Sequence, residues 1–280
     1  MITKNPMQLK ALIKKQASEK NISAQIVMQN YMMERLLERI SLSKYKFNFI
    51  LKGGFLIAAI VGLDSRATMD MDATIKGMPL AHDAIADVFN DICKIEVADD
   101  VKFSLVNTND IREGDDYPGI RVSLLADYYP LKVPLTVDIT TGDKITPREV
   151  EYSFQLMFDE RSITALAYNL ESILAEKLET ILSRSEANTR PRDYYDVYIL
   201  QKLHGSECSS TVLKEALIQT TTKRGSIDAL IQYRTILDEI KNSNRLRDFW
   251  ERYQSKFSYA NDISFDEIYE SIEEILFKVL

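Results

Sequence analysis

Two aspartates one residue apart, in "SRATMDMDATI", are the first residues of this chain whose type and spacing could do chemistry. Asp70 and Asp72 share one parity of an alternating segment with Thr68 and Thr74, while Ala67, Met69, Met71, Ala73 and Ile75 share the other. That pattern predicts a strand with one polar and one apolar face. Both carboxylates then point the same way, with Cα atoms about 6.5 to 7 Å apart. Like charges so placed repel each other unless a cation lies between them. Mg2+ suits such a pair, because it prefers carboxylate oxygens and substrate phosphates to an all-protein cage. Two ions about 3.5 to 4 Å apart would support in-line displacement at phosphorus. A solvated strand edge carries the same residue pair, so the spacing alone leaves both readings open.

The residues that precede the aspartates fit the other end of such a reaction. Gly53-Gly54 opens the apolar run Phe55 to Leu63. Glycine lets backbone approach a ligand closely, and the N–H groups at a helix start favour phosphate; a plain turn also uses glycine pairs. A third acid, Asp138, lies in "PLTVDI", where Leu135, Val137 and Ile139 alternate with Thr136, Asp138 and Thr140. A neighbouring strand carrying one inward acid could complete a metal site.

Two further places stand out downstream. In "ESILAEKLETILSR" the apolar arc is Ile173, Leu174, Leu178, Ile181 and Leu182, and Lys177 falls inside it at 100° per residue. Its ammonium either snorkels past the core edge or points at something anionic, such as a triphosphate. In "RPRDYYDVYIL", Pro191 and Asp193 suit a helix start. In a functional reading, Arg190 and Arg192 could bind phosphate while Asp193 and Asp196 hold a base, a lysine or a metal-bound water. His82 and His204 have no partner pattern, so a histidine-based triad is not expected.

The elements that must position these groups can be read from periodicity. Helices are expected over 7–20 and 23–40, with Ser23 as N-cap. A short strand, "FNFIL", leads into the glycines, and the run after them reads as a buried helix. After the aspartate strand come a helix over 80–94 and three strand-like runs, "VKFSLVN", "GIRVSLLADY" and "LKVPLTVDI", with "GDDYPG" as a hairpin loop between the first two. From Ile163 onward the period is helical, with breaks near Arg190-Pro191, Gly205 and Gly225. The expectation is an α+β fold: a small mixed β-sheet with flanking helices, followed by a C-terminal helical bundle. Two domains are expected, 1–150 (helical over 1–45, mixed sheet core over 46–150) and 151–280.

Composition narrows the class without naming the chemistry. A formal net charge of −7 argues against a general DNA-coating role. No apolar run reaches the length of a membrane helix, and the N-terminus carries no signal-type apolar core, so a cytoplasmic protein is expected. Cys93 and Cys208 match no metal spacing.

Taken in order, "KGG…SRATMDMD", "VDI", "ESILAEKLETILSR" and "RPRDYYDVY" resemble the AbiEii/AbiGii toxin family of nucleotidyltransferases, within the polymerase-β-like superfamily. The resemblance implies that Gly53 and Gly54 hold the nucleotide phosphates, that Asp70 and Asp72 bind Mg2+ with Asp138 as the third acid, and that Lys177 contacts the triphosphate. Asp193 would be the essential acid of the last motif, with Arg66, Thr68, Arg190, Arg192 and Asp196 in support. Superfamily members often have Gly-Ser where this chain has Gly-Gly, which leaves the backbone amides to bind phosphate. The family's members are toxins of bacterial toxin–antitoxin and abortive phage infection systems, paired with a separately encoded DNA-binding antitoxin that forms no tight complex. Some transfer nucleotides to the tRNA 3′ end, which blocks translation. The resemblance therefore implies a Mg2+-dependent enzyme taking an NTP, GTP or CTP among them, and passing NMP to an RNA acceptor. The rivals are nucleotidylation of a protein target and a nucleotide- or RNA-binding toxin without turnover.

Overall fold

The two N-terminal periodic stretches form α1 (Pro6–Glu19) and α2 (Ala24–Leu42), capped by the side chains of Asn5 and Ser23, which accept from the N–H groups of Met7 and Ile26. A computed structural model, describing residues 5–111 and 119–280, divides the chain into two compact units, 1–142 with 150–167 and 143–149 with 168–280. The hairpin loop expected at "GDDYPG" lies outside the described residues except for its last glycine, Gly119, which opens a strand.

Among the described residues the first unit is built on a seven-stranded mixed sheet. Its strands are β1 (Phe49–Lys52), β2 (Met71–Ile75), β3 (Lys102–Ile111), β4 (Gly119–Tyr128), β5 (Leu131–Thr141), β6 (Val150–Gln155) and β7 (Ser162–Ala167), in the order β3-β4-β5-β2-β1-β7-β6. β2 runs parallel to β5 and antiparallel to β1, and β1 runs parallel to β7. The helices α3 (Gly53–Val61) and α4 (His82–Cys93) complete the unit with α1 and α2. Met71, Ala73, Val137, Ile139, Ile120 and Val122 are buried on one face of the sheet. Period two sends Asp72, Asp138 and Arg121 to the other.

Two segments differ from their sequence pattern. β2 starts at Met71, so Asp70 lies just ahead of the strand. The ladder with β1 ends at the pair Lys52↔Asp72, because the next residue of that chain already turns into α3. Beyond residue 150 the chain is still sheet. Ser162–Ala167, where the pattern reads helix, pairs with β1 through Ile50↔Leu166 and Leu51↔Ala167 and with β6 on its other side. Six residues are too few for periodicity to separate strand from helix, and distant partners decide.

α2 buries charge as well as apolar surface. Arg35 bonds Glu34 and Glu38 at 2.6 Å each, and Arg39 makes a two-pronged pair with the fully buried Asp99 at 2.8 Å. Burial pushes the Glu34 carboxyl above its ordinary value, although its Oε2 accepts from the Met157 N–H at 2.6 Å. Breaking one buried pair of this kind typically costs about 3 to 5 kcal/mol, so the network fixes the helix that frames the site below.

The second unit is helical: α5 (Leu170–Arg184), α6 (Pro191–His204), α7 (Ser210–Lys223), α8 (Ile227–Ile231), α9 (Tyr233–Asn242), α10 (Asn244–Gln254) and α11 (Phe265–Val279). The breaks fall where sequence places them: Pro191 is the first residue of α6, Gly205 its C-cap, and Gly225 takes φ of 66° just after α7. Trp250 and Tyr195 are buried and pack in an aromatic cluster with Tyr253 and Tyr259. Cys93 and Cys208 are free thiols pushed up to about 11 by burial. No helix is long and apolar enough to cross a membrane among the described residues.

Candidate functional site

In the sheet unit one rung across four strands reads Lys52, Asp72, Asp138, Arg121. Directly paired residues present their side chains on one face, so two carboxylates stand side by side with a cation at each end. Asp70, just ahead of the rung, is exposed, and its Oδ1 accepts a 2.7 Å hydrogen bond from the Thr136 hydroxyl of β5. Asp138 and, more weakly, Asp70 and Asp72 hold the Arg121 guanidinium above its ordinary value. All three acids therefore bear on one patch of the sheet.

The glycine pair is shaped around this patch. Gly53 takes φ of 65°, and a Cβ there would run into the Asp72 carboxylate. A Cβ on Gly54 would come within 2.9 Å of the Thr68 hydroxyl and 3.3 Å of the Arg66 guanidinium. Only glycine satisfies the first of these demands, since the left-handed region is costly to other residues. The N-cap of α3 is Lys52, with no side-chain cap bond. The helix start, with its positive dipole end, thus lies against Asp72.

Asp138 is held by the other end of the rung. Arg121 donates to both oxygens of Asp138, Nε to Oδ1 and Nη2 to Oδ2, at 2.7 Å each. A forked pair of this type occupies the carboxylate edge. Asp138 would therefore have to release Arg121 before binding a cation. Among the described residues there is no group of three or more acids, histidines or cysteines disposed to hold a metal ion. Two hard carboxylate donors do fit Mg2+, which normally takes one or two protein carboxylates and completes its shell with water and phosphate.

Sequence reasoning named Arg66 and Thr68 but missed Gln29 and Asn30 among the groups that aim Asp70. Gln29 donates to the carbonyls of Met69 (3.2 Å) and Pro134 (2.9 Å), and Asn30 donates to the Thr68 carbonyl at 2.8 Å. Thr68 donates its hydroxyl to the Asp70 carbonyl at 3.3 Å, and Arg66, itself buried, donates to the Ala67 carbonyl. These side chains replace the missing ladder bonds ahead of β2. The one signal in sequence was polar residues, Gln29 and Asn30, amid the apolar positions of α2. Arg121 gave none, because it reads as an ordinary polar-face residue.

In the helical unit the structure brings Lys177, Asp193 and Asp196 together. The Lys177 ammonium is 2.7 Å from Asp193 Oδ1 and 2.8 Å from Asp196 Oδ2, with the Lys177 side chain 16% exposed and that of Asp196 fully buried. The lysine inside an apolar arc therefore faces two carboxylates from α6, one of the arrangements its sequence allowed. The second oxygen of Asp193 is buried without a hydrogen-bond partner among the described residues. Arg190 and Arg192, either side of Pro191, are exposed.

The fold recurs in solved structures. A protein of H. pylori described as a candidate nucleotidyltransferase aligns with a TM-score of 0.51 and 14% identity, over 92% of this chain and 97% of that one. JHP933 from Helicobacter pylori aligns with a TM-score of 0.50 and 15% identity, over 92% of this chain and 94% of that one. The mixed sheet with a following helical region is thus a nucleotidyltransferase-like fold. Residues 35–271 match the nucleotidyl transferase AbiEii toxins of type IV toxin–antitoxin systems, and the chain belongs to that family. Comparison with curated proteins returned no match.

Proposed function

We propose that the protein is a Mg2+-dependent nucleotidyltransferase toxin that transfers NMP from an NTP to an RNA acceptor, the tRNA 3′ end, and so blocks translation. The observation that carries this reading is the Asp70–Asp72 pair beside the start of α3, where a glycine of positive φ makes room for the Asp72 carboxylate. An acid pair next to a helix start offers cation binding and phosphate binding on adjacent backbone. Family membership supplies the NTP substrate class, the toxin role and a separate antitoxin partner. The DNA-binding nature of that antitoxin, its lack of a tight complex, the abortive-infection setting and a cytoplasmic location are expectations carried by the resemblance.

Asp70 and Asp72 would hold the Mg2+, and Asp138 would join them in a two-ion arrangement if Arg121 lets go. When bound, the ion supplies charge neutralisation at the reacting phosphate. The α3 amides at Gly53 and Gly54 would receive the triphosphate of the NTP, GTP or CTP among them. Thr136 holds one oxygen of Asp70, leaving the carboxylate oriented. Gln29, Asn30, Arg66 and Thr68 fix the backbone that carries it. In the helical unit Lys177 would balance triphosphate charge, Asp193 and Asp196 would orient its ammonium, and the exposed Arg190 and Arg192 would take phosphate. Catalysis of this sort rests mainly on positioning and electrostatics.

The test is to incubate the protein with each of four α-labelled NTPs, total tRNA and lysate protein, with and without Mg2+. Label is expected in the tRNA fraction only, and only with the ion present. Label confined to protein would overturn the acceptor, and no label in either fraction would overturn turnover.

A further inference from the structure

α10 carries a stripe of a different character from the rest of this acidic chain. Arg245, Phe249 and Arg252 stand at i, i+4 and i+7, and Lys256 follows in the turn after the helix; at 100° per residue the three helical residues fall within about 60° of one another. Arg245, Arg252 and Lys256 are exposed and Phe249 is half-buried. The guanidinium carbon of Arg245 lies 5.5 Å from the Phe249 ring centroid and that of Arg252 5.9 Å from it. Among the described residues neither arginine is held by a carboxylate. Asp248 lies about 60° to one side of Arg245 and Glu251 about 120° away, at the margin of the stripe and beyond it.

The contrast with Arg247 on the same helix is direct. Arg247 points elsewhere, pairs with Asp266 at 2.7 Å and lies over the Phe265 ring at 4.8 Å. That is a cation satisfied within the fold. The Arg245–Phe249–Arg252 group is anchored only on its own ring, with its charge left to solvent in a chain of net charge −7. Phe249 also lines a small cavity with Pro191, the first residue of α6. Pro191 is flanked by the exposed Arg190 and Arg192. The basic stripe and the basic helix start are therefore neighbours within the helical unit.

We infer that this face of α10, with the start of α6, is a docking surface for a single-stranded RNA end. Phosphates would be met by Arg245, Arg252, Arg190 and Arg192, and unstacked bases by the guanidinium planes that the Phe249 ring supports. Arginine planes and aromatic rings are what single-stranded RNA is stacked on, whereas a duplex keeps its bases to itself and offers mainly phosphate. As an account of the toxin's acceptor the inference rests on the reading under Proposed function. Its test does not need turnover.

The experiment measures fluorescence anisotropy of a labelled 12-nucleotide RNA, single-stranded and as a blunt duplex, at several salt concentrations. The full chain should prefer the single strand by at least about fivefold. Arg245→Glu with Arg252→Glu should weaken single-strand binding at least about tenfold and lower the salt slope by about 1.4, two contacts at about 0.7 each. Phe249→Leu, which keeps the packing, should reduce the preference for the single strand. Arg247→Gln should leave binding within about twofold. In transfer assays the double variant should raise KM for RNA with kcat nearly unchanged. Unaltered single-strand binding by the double variant, or an equal loss for both RNA forms, would overturn the inference. RNA labelling with unchanged KM would overturn it too, while leaving the proposed function standing. Binding lost in the double variant without any RNA labelling in the wild type would sink the proposed reaction and keep the surface.

Discussion

Asp70 and Asp72 in the sheet unit are exposed and half-buried, and one oxygen of Asp70 is taken by a neutral hydroxyl. Asp193 and Asp196 in the helical unit are both buried and both close on Lys177. A buried carboxylate must carry its cation with it, because desolvation of an unpaired charge is far more costly than the pair. An exposed carboxylate such as Asp70 can keep its charge for something that comes and goes. Asp138 stands between these cases, half-buried and forked onto Arg121. Under the proposed function the sheet acids would serve a bound ion, while the helical acids hold and orient Lys177.

The sharpest way to break that comparison is to neutralise one acid of the sheet pair and, separately, the cation that the helical pair holds. Asp72→Asn should lower nucleotide transfer by at least about a thousandfold and leave the melting temperature nearly unchanged. Lys177→Met should lower transfer too, but by stranding two buried carboxylates it should also reduce unfolding free energy by about 3 kcal/mol or more, read by urea denaturation. Gly53→Ala comes next. Positive φ alone should cost about 1 to 2 kcal/mol, and displacement of Asp72 should lower transfer well beyond what that stability loss explains. Asn30→Ala should cost about 1 to 2 kcal/mol by stranding the Thr68 carbonyl, and should depress kcat through Asp70 rather than KM for NTP. Arg121→Gln is the smallest effect, since the arginine is largely exposed and such pairs contribute about 0 to 1 kcal/mol once screened by solvent.

Much of this layout was legible in the sequence. Period 3.6 marked α2 and α5, period 2 marked β2 and β5, and Pro191, Gly205 and Gly225 marked breaks between helices. Lys177 was visible as a charge inside an apolar arc, though naming its partners required knowing which face of α6 it meets. What sequence did not carry was long-range. Ser162–Ala167 is a strand because β1 lies beside it, more than a hundred residues earlier. Asp70 leaves the strand because β1 ends at Lys52. Gln29 bonds Pro134 across 105 residues, and Arg121 finds Asp138 across a hairpin. Local pattern records which residues can be buried or wet; it does not record who meets whom.

The most direct test measures transfer rate and melting temperature together for the wild type, Asp72→Asn and Asp196→Asn. The account predicts that Asp72→Asn abolishes transfer of label to RNA while melting like the wild type, and that Asp196→Asn melts several degrees lower. A stable Asp72→Asn protein that still transfers nucleotide at the wild-type rate would contradict it.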